Sequence, residues 1–201
     1  MKSVDVSIEN KINRSPRGTL FFPENFSDCG SSGAVRLAMH RLIKKGEIVR
    51  IAQGIYVLPK QDNLLGNILP PLDEIAIAIA KRDRARIVPT GVQALNRLGL
   101  STQVPMNVVY LTDGAQRKIK VGKRSINFKK TTPKNLLAKG EISSLAIQAL
   151  RAIGKEKVSD TEKEKVLNYL KKEDRNYLLH DIKLAPVWIA EIMKRALKST
   201  Q

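Results

Sequence analysis

Residues 31–59, SSGAVRLAMHRLIKKGEIVRIAQGIYVLP, decide how the chain is read. Val35, Ala38, Met39, Leu42 and Ile43 recur at helical spacing and make one apolar stripe, so the segment opens as a helix. Ser31 is placed to cap it, because its hydroxyl can take a backbone donor that the first turn leaves free. Gly46 ends it, after Lys44 and Lys45, whose charge suits the negative C-terminal end. Glu47 to Ile51 and Ile55 to Pro59 then read as strands, with Ala52-Gln53-Gly54 as the turn.

At about 100° per residue, Gly33, Arg36, Leu37, His40, Arg41 and Lys44 fall on the face opposite the stripe. That face is basic and carries no carboxylate. A basic helix followed by a hairpin with Arg50 and Gln53 near its tip is the outline of a winged helix-turn-helix, which lays its helix in the DNA major groove and touches backbone with its wing. The competing reading is a solvated basic face on a small helix-plus-hairpin unit. On the DNA reading, Arg36, Leu37, His40 and Arg41 face base edges. Ser31, Ser32, Lys44, Lys45, Arg17, Arg50 and Gln53 hold phosphates.

The charge of the whole chain agrees with a polyanionic partner. Its 201 residues hold 36 Lys and Arg against 19 Asp and Glu, a net charge of +17. A membrane is the weaker partner, because no apolar run approaches the length of a span and residues 1–11, MKSVDVSIENK, have no signal-peptide core. A cytoplasmic location is expected, and the single Cys29 can form no internal disulfide.

Before the opening stretch, Ser3 to Asn13 reads as a helix with Val4, Ile8 and Ile12 on one side. Thr19 to Phe22 is a short extended run that can pair with the hairpin, and Glu24 to Cys29 has room for one helical turn. After it, Gln61 to Pro71 reads as a linker between a domain at 1–62 and a domain at 70–201. Leu72 to Arg84 is a helix, apolar nearly all round and expected to be buried. Thr90 caps a helix to Leu98. Asn107 to Thr112, Arg117 to Val121 and Ser125 to Lys129 read as the three strands of an antiparallel meander, with turns at Asp113-Gly114 and Gly122-Lys123. Residues 114–140 hold nine basic side chains and no acidic one: Arg117, Lys118, Lys120, Lys123, Arg124, Lys129, Lys130, Lys134 and Lys139. Helices follow at 142–153, 161–172 and 186–197, with a further turn at 176–181. The expected class is α+β: an N-terminal winged helix-turn-helix, then a mixed α/β domain with a short antiparallel meander and flanking helices.

Two long ungapped segments carry a family resemblance. Residues 14–60, RSPRGTLFFPENFSDCGSSGAVRLAMHRLIKKGEIVRIAQGIYVLPK, and residues 88–114, VPTGVQALNRLGLSTQVPMNVVYLTDG, resemble AbiE-type abortive-infection antitoxins, and the likeness runs to about Lys155. The resemblance implies a winged-helix domain that represses its own operon and a second domain that counteracts a nucleotidyltransferase-like toxin encoded beside it. The partners it implies are double-stranded operator DNA and that toxin, whether or not the two touch; it leaves open a cooperative dimer on the DNA. Leu37 stands where those proteins commonly carry Gln. A Gln there hydrogen-bonds adenine, whereas a Leu contacts only a thymine methyl.

No catalytic constellation is legible. His40 and His180 are far apart in sequence and lack ligand spacing, and one Cys makes a zinc site a poor expectation. No Gly-rich phosphate loop precedes a Lys-Ser/Thr pair, and no G-x-S-x-G elbow occurs. Glu162 and Glu164 balance Lys163 and Lys165 in a charged helix, and Asp73 and Glu74 suit a helix start. Cys29 reads as a filler residue and Trp188 as core or partner surface. No catalytic residue, metal or cofactor is therefore expected. The rival function is an RNA-binding accessory protein that uses the basic 114–140 stretch.

Overall fold

The computed structural model describes residues 3–64 and 66–198. Its class is α+β, and its chain divides into two compact units: Met1–Ala78 with Lys120–Gly122, and Ile79–Ile119 with Lys123–Gln201.

The first unit opens with α1 (Val4–Asn13), capped by Ser3, whose side chain accepts a hydrogen bond from the Val6 N–H. Ile8 and Ile12, one turn apart, are its buried residues. β1 (Leu20–Phe21) is followed by a 3-10 turn, Pro23–Phe26. Against the helical turn expected within 24–29, this turn begins one residue earlier and ends three earlier, where Phe26 enters the core at 2% exposure. α2 (Ser32–Lys44) is capped by Ser31, which accepts from the Ala34 N–H at 3.3 Å. β2 (Val49–Ala52) and β3 (Ile55–Val57) close the hairpin, and Gly54 at φ +69° supplies the left-handed turn that a Cβ would strain. The sheet order is β1-β3-β2, with Leu20 opposite Val57 and Val49 opposite Val57 on its other side. One core joins Ile8, Ile12, Phe26, Val35, Met39, Leu42, Ile48 and Tyr56. Each large aliphatic buried there contributes about 1.5–3 kcal/mol of apolar burial.

The expected linker at 61–71 is in part ordered. β4 (Lys60–Asp62) and β5 (Gly66–Ile68) pair antiparallel, with Gln61 opposite Asn67. Every residue of both strands is exposed, so main-chain pairing makes this hairpin rather than an apolar face, and alternation could not announce it. α3 (Leu72–Arg82) is not apolar all round in use: Ile75, Ala76 and Ile79 are buried, but Ile77 is 53% exposed.

In the second unit, β6 (Ile87–Pro89), unforeseen in the sequence, leads to α4 (Val92–Arg97). The N-cap of α4 is Gly91 at φ +62°, not Thr90, which instead continues the pairing of β6 by donating its N–H to the Val109 carbonyl. β7 (Asn107–Thr112), β8 (Arg117–Val121) and β9 (Arg124–Lys130) do not form a meander. The order is β6-β7-β9-β8, and β7 pairs with β9 in parallel, Val108 beside Ile126 and Tyr110 beside Phe128. The physical reason is burial. Ser125, Ile126 and Phe128 need neighbours on both sides, so β9 takes a central place. β8, whose alternate residues are lysines, takes the edge. β6 takes the other edge, where Pro89 costs no ladder bond. The strand 113–116 connection need only cross one strand position, roughly 10 Å, which four residues span.

A helical cluster completes this unit: α5 (Glu141–Ile153), α6 (Asp160–Leu170), α7 (Arg175–Ile182) and α8 (Val187–Lys198) bury Leu145, Leu150, Val166, Leu170, Leu178, Ile189 and Met193. The segment expected as a turn at 176–181 is the full helix α7, capped by Asp174, which accepts from the Asn176 and Tyr177 N–H groups. Two carboxylates serve the start of α5. Asp181, wholly buried, accepts from the N–H groups of Lys139 (2.9 Å) and Gly140 (2.8 Å), and His180 Nδ1 lies 2.7 Å from it. Glu173 accepts from the Ser143 N–H at 2.9 Å, and a Cβ on Gly140 would lie 2.2 Å from that Glu173 oxygen. These donors are ones the first turn of a helix cannot satisfy itself.

Asp181→Asn should therefore lower unfolding free energy by about 2–3 kcal/mol, since an amide cannot accept from both sides and sets a donor against buried N–H groups. Glu164→Gln, which removes an exposed ion pair with Arg195, should cost under about 0.5 kcal/mol. Urea midpoints of the two variants check the contrast.

Candidate nucleic-acid interface

α2 turns its apolar stripe inward and its basic face outward. Val35, Ala38, Met39 and Leu42 are buried, whereas Arg36, Leu37, His40, Arg41 and Lys44 are exposed, Leu37 at 50%. The helical phase expected from the sequence is the phase found.

The β2–β3 hairpin stands beside the N-terminal half of α2. Between them lies an open groove of about 650 Å³ lined by Ser32, Val35 and Arg36 from α2, Arg50, Gln53, Gly54 and Tyr56 from the hairpin, and Pro23, Glu24, Ser27 and Gly30 from the turn before α2. Four of the sequence-chosen residues, Ser32, Arg36, Arg50 and Gln53, thus meet on one concave surface. The Arg50 Nε–H donates to the Ala52 carbonyl at 3.4 Å, across the register shift between Arg50 and Ala52. Such an irregularity increases local twist, and Arg50 and Gln53 beside it line the groove.

The other chosen residues are distributed differently. Leu37, His40 and Lys44 lie on the exposed face of α2 without lining the groove. The Arg41 guanidinium donates to Asp5 of α1 at 2.5 Å. Lys45 lies 3.4 Å from Glu9 and 3.6 Å from Glu47, and the hydrogen bond to Glu9, then its charge, hold the ammonium above its ordinary range. Arg17 donates to the Pro59 carbonyl at 3.1 Å, tying the segment before β1 to the strand end after β3. Ser31 is the cap of α2. The acidic side of α1 is what sequence reading missed here: Asp5 and Glu9, one turn apart, answer the cations at the C-terminal end of α2. Glu24 was also missed. It is the one carboxylate among the residues that line the groove.

The second basic region is sorted by the sheet. The Arg117 guanidinium is not a surface charge: it pairs with Asp83, lies 5.7 Å from the centre of the Phe128 ring, and is held below its ordinary range by burial and, less, by Arg82. Arg124 is half-buried. Lys118, Lys120, Lys123, Lys129 and Lys130 are exposed. Among the described residues no three His, Cys, Asp or Glu side chains cluster as a metal site needs, and no helix is long and apolar enough to cross a membrane.

A family model matches residues 7–178, most of both units. The chain belongs to DUF6088, a family of unknown function. Comparison of this DUF6088 chain with curated proteins finds no match. Among solved structures it is similar to the RV2827C protein from Mycobacterium tuberculosis, with 11% identity, a TM-score of 0.47, and coverage of 94% of this chain and 79% of that one.

Because Leu37 makes no core contact in this geometry, Leu37→Gln should change unfolding free energy by less than about 0.5 kcal/mol, whereas Leu42→Ala, one turn and a step further along the buried side, should cost about 2–5 kcal/mol. Thermal melts of the two variants give the comparison.

Proposed function

We propose that this chain is a sequence-specific duplex-DNA-binding regulator that represses its own operon. In this reading the first unit is a winged helix-turn-helix: the 3-10 turn and α2 are its two helical elements, β2–β3 is its wing, and α1 supports α2 from behind. The single observation that carries it is the shared groove, in which Arg36 of α2 faces Arg50 and Gln53 of the hairpin, beside an acid-free helix face.

The dimensions suit the task. An α-helix with its side chains, about 10–12 Å across, enters a major groove about 12 Å wide. With α2 inserted, Arg36 reaches guanine O6 and N7 or a phosphate, His40 hydrogen-bonds a base edge, and Leu37 packs on a thymine methyl. Arg50 and Gln53 meet the flanking backbone from the hairpin tip. Glu24 repels phosphate and accepts from a cytosine amino group, so it disfavours non-specific seating in the groove. Arg41 and Lys45 join only by exchanging Asp5 and Glu9 for phosphates, and they contribute less than their charge suggests. The resemblance to abortive-infection antitoxins supports a further task for the second unit, counteracting a nucleotidyltransferase-like toxin.

With about six phosphates neutralised, affinity for duplex should fall roughly a thousandfold between about 50 and about 200 mM salt. A duplex from the region upstream of its own gene should outcompete scrambled duplex at physiological salt, and Arg36→Ala with Gln53→Ala should remove that preference while leaving the melting temperature unchanged. Fluorescence-anisotropy competition reads both. Equal affinity of the wild type for the two duplexes would sink the proposal.

A further inference from the structure

The open face of the β6–β9 sheet carries cations that the fold itself does not use. Parallel pairing puts Val108, Tyr110, Ile126 and Phe128 on one side, and all four are buried. The other side therefore takes Val109, Leu111, Asn127 and Lys129, of which the first three are half-buried and Lys129 is exposed. The two-residue turn Gly122–Lys123 between β8 and β9 sets Lys118 opposite Asn127, on this same open side and diagonal to Lys129. Lys123 stands at the turn. None of Lys118, Lys123 and Lys129 forms an ion pair among the described residues, and β6 to β9 contain no carboxylate.

Edge protection is the ordinary explanation of lysines on an outer strand, because a charge there blocks pairing with another chain. It accounts for Lys118 on β8. It does not account for Lys123 in a turn, nor for the placing of Lys129, one residue past the end of β8 in this register, on the same side of the sheet as Lys118. We propose that this sheet face is a second nucleic-acid surface, one that holds the phosphate backbone of duplex DNA without reading its sequence.

The side chains choose this occupant. The aromatic residues of β7 and β9, Tyr110 and Phe128, are turned to the buried side, with ring centres 6.0 Å apart. The open face therefore has no stacking platform, and single strands are bound chiefly by stacking. Its cations are lysines, point charges suited to phosphate, and no arginine fork is free there to address a guanine edge. The choice of DNA over RNA rests on the reading of the first unit, whose partner is duplex DNA.

The test uses the full chain carrying Lys118→Gln, Lys123→Gln and Lys129→Gln, with the single variant Lys129→Gln as a milder companion. Binding to a random-sequence duplex and to the upstream duplex is measured across the salt range. Loss of three phosphate contacts should reduce the slope of log K against log salt by about 2.7, so that a fourfold rise in salt costs the variant roughly fortyfold less than the wild type. The single variant should reduce the slope by about 0.9. The preference for the upstream duplex should be unchanged, since backbone contacts carry no sequence information. Unchanged slopes in folded variants would overturn the proposal, as would a slope change seen only with double-stranded RNA. Failure of the first reading shows separately, as equal wild-type binding to upstream and random duplexes; the slopes on random duplex still decide this one.

Discussion

The burial of one helical stripe governs the first unit. Val35, Ala38, Met39 and Leu42 can leave water only if α2 lies against α1 and the small sheet, and that seating turns Arg36, Leu37, His40 and Lys44 outward. The same seating fixes what α1 does. Its apolar Ile8 and Ile12 face the core, and its acidic Asp5 and Glu9 come within reach of Arg41 and Lys45. The basic face of α2 is thereby divided. Its N-terminal half faces the hairpin with cations in the groove, and its C-terminal end is answered by carboxylates. Under the DNA-binding proposal, this division leaves the face of α2 beside the hairpin open to a duplex, and a recognition helix ordinarily meets base edges from its N-terminal part.

The second unit follows a different constraint, the satisfaction of buried polar groups. The first N–H groups of a helix have no partner within it, and at α5 these lie beside the buried Gly140. Asp181 and Glu173 meet that need from α7 and from the segment before it, and Gly140 leaves room for the Glu173 carboxylate. The basic sheet is organised by the same economy. Arg117 is drawn in by Asp83 and lies over Phe128, whereas the lysines remain at the surface. Counting charges along residues 114–140 treats these cations as equals; their burial separates a structural arginine from cations open to a partner.

Local chemistry was legible in the sequence wherever it is decided locally. The Ser31 cap, the phase of α2 and the hairpin turn at Gly54 all depend on near neighbours or on strong periodicity. The misread elements depend on pairing at a distance. Strands 107–112, 117–121 and 124–130 have turns between them that suit a meander, yet the double burial of Ile126 and Phe128 draws β9 between β7 and β8. The hairpin of β4 and β5 buries nothing and so leaves no periodic trace. Of the candidate site, the residues themselves were visible, but their partners were not. Nothing near Arg41 in sequence announces Asp5, and Glu24 enters the groove only because the 3-10 turn brings it there.

The account turns on whether the exposed face of α2 is covered by duplex DNA. Hydroxyl-radical footprinting of the protein, with and without the upstream duplex, measures that side chain by side chain. Leu37 and His40 should lose most of their reactivity in the complex, while Tyr177 and Leu179, exposed on α7, keep theirs. Undiminished reactivity of Leu37 and His40 in a saturated complex would contradict the placement of α2 in the groove.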